Sequence, residues 1–272
     1  MIRPMGKEIT ERICLEKPVF KANGEVESSN EANTQLLENK SHEIRTYMTR
    51  IISMTDLTLM TEVTEEQRDY LTIVKSSTKL LLKVLNDILD YSKIQAGKVD
   101  LEQVSFDIRA TLDEVVNMFQ VVAKQKNINV RFNSMDQRIP KNLIGDSVRL
   151  KQVLSNLIGN SVRFTNHGEV TVKVDLKEIV ESRVCLQFIV SDTGVGIPQD
   201  KLVKLVKGFS QPDETKIREL GGTGLTISNR LVKLMGGDIE VDSMEGIGSK
   251  FCFSAVFGVL GEGGSYSSKQ KL

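Results

Sequence analysis

The stretch Ser41-His42-Glu43-Ile44-Arg45-Thr46 sets an imidazole beside a carboxylate and a hydroxyl. Helical residues advance by ~100° each, so His42, Arg45, Thr46, Thr49 and Ser53 share one polar stripe, with Ile44, Met48 and Ile51 on nearly the opposite side. Such a helix buries one edge and holds the ring out to solvent, presenting it to something else. Three further stretches could do chemistry. Asn156 and Asn160 lie four apart on a helix that continues to Arg163. Mid-helix Asn is a poor helix former, so the pair points to a polar or metal-phosphate site, where an amide oxygen can ligate Mg²⁺. In Asp192-Thr193-Gly194-Val195-Gly196-Ile197-Pro198 the glycines let the backbone approach a ligand, and the carboxylate can accept from an exocyclic amine such as that of adenine. Gly221-Gly222-Thr223-Gly224 leads into an apolar helix whose free N–H groups would cradle phosphate. No Gly-Lys-Ser/Thr follows, so it is not a Walker A loop. Each piece alone also reads as ordinary: a solvated face, an Asp-x-Gly turn, a helix opening after glycines.

The elements that must position these groups divide the chain in two. Residues 1–30 are polar and irregular and read as a linker or the remnant of a sensor segment. A helical pattern runs from about Glu31 to about Glu62. A second helix opens at Thr64-Glu65-Glu66-Gln67, a capping box. Val74, Leu81, Leu85 and Ile88 recur along it at coiled-coil spacing, and Gly97 ends it. Two helices cannot bury this apolar edge alone; a second copy would complete a four-helix bundle, predicting a homodimer.

From Val99 the pattern alternates. Strands are predicted near Val99–Phe106, Asn129–Phe132, Glu169–Leu176, Val184–Ser191, Asp238–Ser243 and Lys250–Phe257, and helices near Ile108–Lys124, Ser147–Phe164 and Leu225–Met235. Helices on one side of a sheet make this an α+β domain over 98–257. Gln199–Leu220 is charged and poorly periodic, as expected of a mobile lid, and 258–272 reads as a flexible tail.

Thirty-six basic residues balance thirty-six acidic ones, which argues against a nucleic-acid binder. No apolar run reaches the ~20 residues that span a bilayer, and the charged N-terminus is unlike a secretory signal; the expected location is cytoplasmic. Cys14, Cys185 and Cys252 lack metal or redox spacing and read as reduced thiols. His167 lies in a turn, and two histidines make a His-rich metal site improbable.

Taken together, Ser41–Thr46, Asn156–Thr165, Asp192–Pro198, Phe209-Ser210-Gln211 and Gly221–Leu225 resemble, in order, the H, N, G1, F and G2 boxes of two-component sensor histidine kinases. The resemblance covers roughly Leu36 to Phe257. It implies an α-helical hairpin over 31–97, dimeric as a four-helix bundle, followed by an α+β ATP-binding sandwich of the Bergerat type. It further implies that His42 accepts a phosphoryl group, that Glu43 orients and deprotonates it, and that Thr46 positions water for dephosphorylating a partner. Asn160 would hold Mg²⁺, with Asn156 and Arg163 facing ATP. Asp192 would read adenine in a pocket shaped by Gly194 and Gly196, and Leu225 and Ser249 belong to the same nucleotide-binding set. Gly222 and Gly224 would hold phosphates, and Arg218 would supply a cation to the γ-phosphate. The implied partner is the receiver domain of a response regulator, and Ile94–Asp100 would be the hinge. Tyr47 stands where the family usually has Pro, Val206 and Gly208 where it has Phe and Pro, and Thr226 where it commonly has Gly. These departures leave open an ATP-binding regulatory relative that does not autophosphorylate and acts as a phosphatase or sequestering partner.

Overall fold

The computed structural model describes residues 40–97, 99–210 and 214–259, with the backbone alone at 95, 208, 210 and 214–223. The chain divides into two compact units, Met1–Val99 and Asp100–Leu272.

In the first unit, helix α1 occupies residues 40–59 and α2 spans Glu65–Gln95. The capping box forms as expected: the Gln67 N–H donates to Thr64 Oγ1 (3.2 Å) and the Thr64 N–H donates to Gln67 Oε1 (3.0 Å). Gly97 closes the helix at φ +65°, which the missing Cβ permits. Arg45 Nη2 donates to Asn86 Oδ1 (2.9 Å), and Lys75 pairs with Asp56. The two contacts nest, so the helices form an antiparallel hairpin.

Two seams run along it. Met48, Ile52, Thr55 and Leu59 of α1, and Leu71, Thr78, Leu82, Leu85 and Leu89 of α2, are buried or half-buried. The other stripe is exposed: Ile44, Tyr47, Ile51 and Met54 on α1, and Tyr70, Val74, Leu81, Val84 and Ile88 on α2. Much of the apolar spacing legible in the sequence therefore belongs to the outward seam.

The second unit is built on seven strands: β1 (Val104–Asp107), β2 (Ile128–Met135), β3 (Asn142–Gly145), β4 (Gly168–Val180), β5 (Arg183–Asp192), β6 (Ile239–Met244) and β7 (Gly248–Val259). They lie in the order β1-β3-β7-β5-β4-β2, with β6 also paired to β7. Every pair is antiparallel except β2 with β4. Strict alternation sorts the faces. Val170, Val172 and Val174, Val184, Leu186, Phe188 and Val190, and Phe251, Phe253, Ala255 and Phe257 are buried. The Phe188 and Phe253 rings stack at 4.7 Å across the β5–β7 pair. Helices α3 (Ile108–Gln125), α4 (Ser147–Phe164) and α6 (Glu214–Leu234) pack against the strands, and α5 (Gln199–Ser210) lies beside α6 and β6.

Helix α4 follows from its sequence most directly. Asp146 caps it, accepting the Arg149 N–H (2.9 Å), and its other oxygen accepts the Glu102 N–H (3.2 Å). Leu150, Val153, Leu154, Leu157, Ile158 and Val162, one face at helical spacing, are all buried. Each such residue contributes about 1.5–3 kcal/mol on leaving water.

Several boundaries differ from expectation. The first strand begins at Val104 rather than Val99, and the last runs to Val259, taking Gly258 and Val259 out of the predicted tail. Strand β3 was not foreseen, since Asn142–Gly145 carries only two large apolar residues. The segment expected as an irregular lid holds α5, whose Leu202, Leu205 and Phe209 recur at steps of three and four and are buried. The helix expected from Leu225 begins at Glu214 and passes through Gly221, Gly222 and Gly224 without a break. Residues 1–39, with Cys14 and the predicted linker, and 260–272 lie outside the described residues. Cys185 and Cys252 are free thiols, and burial pushes both above the usual thiol range. No helix among the described residues is long and apolar enough to cross a membrane.

Candidate active site

The C-terminal half of α4, the loop after β5, the start of α5, Leu225 of α6 and the start of β7 enclose a cleft of about 420 Å³. Asn160, Arg163, Asp192, Gly196, Lys201 and Leu225 are among its lining residues, with Ser249 and the rings of Phe164 and Phe251. Among the described residues lining it, Asp192 is the only carboxylate and Arg163 and Lys201 are the cations, a balance that favours an anionic ligand.

The Asp192 carboxylate is held from three directions. Oδ1 accepts the N–H groups of Gly194 (3.0 Å) and Ser249 (3.2 Å), and Oδ2 accepts the Ser161 hydroxyl (2.9 Å). An ionised carboxylate has about four acceptor positions, so one remains, on Oδ2.

The glycines that follow are needed for close approach. A Cβ on Gly194 would lie 2.6 Å from the Phe164 carbonyl oxygen, and one on Gly196, at φ +69°, 2.1 Å from that of Met244. The loop is clamped on both sides: the Val195 N–H donates to Phe164 O (3.3 Å), and Val195 O accepts from Gly246 N–H (2.8 Å). The turn at the end of α4 is fixed in its own right, because Lys126 Nζ donates to the carbonyls of Val162 (2.9 Å), Arg163 (3.0 Å) and Thr165 (3.3 Å). A cation at a helix C-terminus meets both the unpaired carbonyls and the negative end of the dipole.

The anticipated residues fall into groups. Asn160, Arg163, Asp192, Gly196, Leu225 and Ser249 meet at the cleft, and Gly194 lies in the loop beside it. The Arg163 guanidinium stands over the Phe164 ring at 5.4 Å. Asn156, expected to face the ligand, is not among the residues lining the cleft. It is buried between helices, where its Nδ2 donates to Gly224 O and to Ser228 Oγ, both at 3.3 Å. The physical reason is the bare Cα of Gly224, which lets α6 close on α4: a Cβ there would sit 3.4 Å from Asn156 Cγ. Only the backbone is described at Arg218 and Gly222; the Arg218 side chain lies outside the described residues.

His42, Glu43 and Thr46 belong to the other unit. All three are exposed on α1. Glu43 pairs with Lys40 at 3.2 Å, both well solvated, and Thr46 Oγ1 donates to the His42 carbonyl (3.0 Å). Tyr47 continues α1 without interruption. Ser161, Lys126, Lys201 and Gly248 were not anticipated. Gly248, at φ +141°, would place a Cβ 2.0 Å from the Asp192 carbonyl oxygen. Thr226 is buried with Oγ1 unpaired among the described residues.

Residues 145–257 match the domain described as histidine kinase-, DNA gyrase B- and HSP90-like ATPase, and residues 32–97 match the His Kinase A (phospho-acceptor) domain. The chain thus belongs to the two-component sensor histidine kinases, whose paired domains it carries in order. It is 40% identical over 222 residues to the signal transduction histidine-protein kinase BarA of Escherichia coli K12, covering 81% of this chain and 24% of BarA. It is 43% identical over 214 residues to hybrid signal transduction histidine kinase L of Dictyostelium discoideum, covering 78% of this chain and 12% of that protein. Among solved structures it resembles full-length ShkA in complex with AMPPNP, with a TM-score of 0.64 and 32% identity over 83% of this chain and 46% of ShkA. The chain spans a quarter or less of the length of these curated relatives.

Proposed function

We propose that this chain is an ATP-dependent protein-histidine kinase that phosphorylates itself on His42 and passes the phosphoryl group to an aspartate of a response-regulator receiver domain. The observation that carries the reading is the Asp192 carboxylate, pinned on three sides with one acceptor position left. It lines a cleft that also holds Asn160 and Arg163, in a chain that presents an exposed histidine on a separate helical hairpin. The resemblance to ShkA, solved with AMPPNP, supports an ATP-type ligand there.

In this reading Asp192 accepts from the adenine amine, and Phe164, Leu225 and Phe251 supply apolar surface to the base. Arg163 and Lys201 offset phosphate charge, joined by Arg218 at the γ-phosphate. A lone pair on the His42 imidazole forms the P–N bond as the bridging P–O bond breaks, and ADP leaves with that electron pair. Glu43 takes the proton from the other ring nitrogen, leaving a neutral phosphorylated ring. Thr46 keeps acceptor capacity on Oγ1 to position water that hydrolyses the aspartyl phosphate of the partner, releasing inorganic phosphate.

Magnesium fits the donor set. Mg²⁺ takes oxygen ligands and keeps several waters, so few of its ligands need come from protein beside substrate phosphates. Asn160 would supply the amide oxygen, and the ion would neutralise charge on the phosphates. Gly222 and Gly224 lie inside α6, where the backbone amides have helical partners. Their role in holding phosphates thus requires the first turns of α6 to open, which three glycines favour, each being about 1 kcal/mol less helical than Ala. The exposed seam of Ile51, Met54, Val74, Leu81 and Ile88 supports a homodimer in which two hairpins close one bundle.

The reading is tested by offering labelled protein to purified receiver domains. Loss of label from this chain with its gain on a receiver aspartate is expected from at least one. Stable label that no receiver removes contradicts the transfer step.

A further inference from the structure

Ser161 stands next to Asn160 on α4 and is 1% exposed. A buried helical serine usually turns its hydroxyl back to the carbonyl four residues earlier. Here it donates instead to Asp192 Oδ2 at 2.9 Å, from a helix to the end of a strand. A hydroxyl has one proton, so this donation commits it. With the Gly194 and Ser249 amides on Oδ1, the carboxylate can neither rotate nor turn a second free acceptor to the cleft.

We infer that Ser161 is a positioning residue that sets base specificity: by engaging one side of Asp192 Oδ2 it aims the last acceptor of that carboxylate at a hydrogen-bond donor on the base. The inference rests on the nucleotide reading of the cleft. The carboxylate presents oxygens that accept hydrogen bonds. A 6-amino purine then meets an acceptor with its donor. A 6-oxo purine brings acceptor against acceptor, and a purine lacking the 6-substituent leaves the last acceptor position of Oδ2 unfilled. Without the serine hydroxyl, Oδ2 has two open positions and the carboxylate loses a restraint on its plane. The 6-amine is then read less sharply, while ribose and phosphate contacts are untouched.

The test compares two ligands on the full chain by calorimetry: ADP and purine riboside 5′-diphosphate, which differ only in the 6-amine. The ratio of the two affinities on one preparation cancels the folded fraction, so partial unfolding of a variant does not blur it. Wild type is expected to prefer ADP. Ser161→Ala is expected to narrow that preference by about fivefold to tenfold, within the range of couplings in one hydrogen-bond network, with the loss confined to ADP. In an Asp192→Asn background the same change is expected to leave the ratio unmoved. Equal losses for both ligands in Ser161→Ala, or an unchanged ratio, overturn the inference while leaving the adenine site standing. If wild type binds both ligands equally, Asp192 does not read the amine, and the reading of the cleft falls with the inference.

Discussion

At the scale of single residues, the site depends on atoms that are missing as much as on those present. Gly196 combines a positive φ with a backbone oxygen where its Cβ would be. Gly196→Ala should therefore destabilise the second unit by about 2–4 kcal/mol, adding left-handed strain to overpacking, and weaken ADP binding at least tenfold. Denaturant midpoint and calorimetry check the two effects, and wild-type values in both would show that the loop tolerates a side chain. The carboxylate-and-glycine pattern at 192–196 was legible in the sequence because few other residue types satisfy close approach to backbone. Ser161 was not, since nothing local distinguishes a serine that reaches a strand 31 positions away from one that caps or faces water. The setting of Asn156 was hidden for a related reason: its partner, Gly224, comes from a distant helix.

At the scale of elements, α4 is the part on which the site hangs, and its far end is fastened by Lys126 rather than by anything within the helix. Lys126→Met should cost about 1–2 kcal/mol of stability. It should also raise the Kd for ADP, because the freed turn carries the Phe164 carbonyl that holds Val195. A Kd equal to wild type would show that the glycine loop keeps its place without this fastening. Asp107 does the analogous work at the start of α3, where it accepts the N–H groups of Arg109 and Ala110. The bond from Ala110, then that from Arg109 and the nearby Lys141, holds its carboxyl below the usual range. A depressed folded-state pKa contributes stability that is present above about pH 4, the unfolded value, and is lost as pH falls further. Asp107→Asn should flatten that part of the acid-denaturation profile; an unchanged profile would remove the cap from the account. Helix α4 could be read to the residue because cap, period and burial agree. The lid could not: in α5 the exposed Val203 and Val206 blur the inward spacing of Leu202, Leu205 and Phe209. In α6 the glycines signal a break that packing on α4 and β7 overrides.

At the scale of the whole molecule, the hairpin leaves Leu81, 49% exposed, in the middle of an apolar stripe that its own partner helix does not cover. Sedimentation of the full chain at micromolar concentration should give a dimer, and Leu81→Glu a monomer, because a carboxylate in that seam loses its hydration without a partner. A monomeric wild type would contradict the bundle. The proposed reaction needs both units, a pocket that binds nucleotide and a ring that receives phosphate, and one measurement addresses both. The chain is incubated with ATP labelled at the γ-phosphate, denatured, and split between acid and alkali. The account predicts label that survives alkali, is lost in acid, and is absent from a His42→Gln variant that still binds ADP as wild type does. Wild-type protein that binds ADP yet takes up no label, or label that persists in His42→Gln, would contradict it.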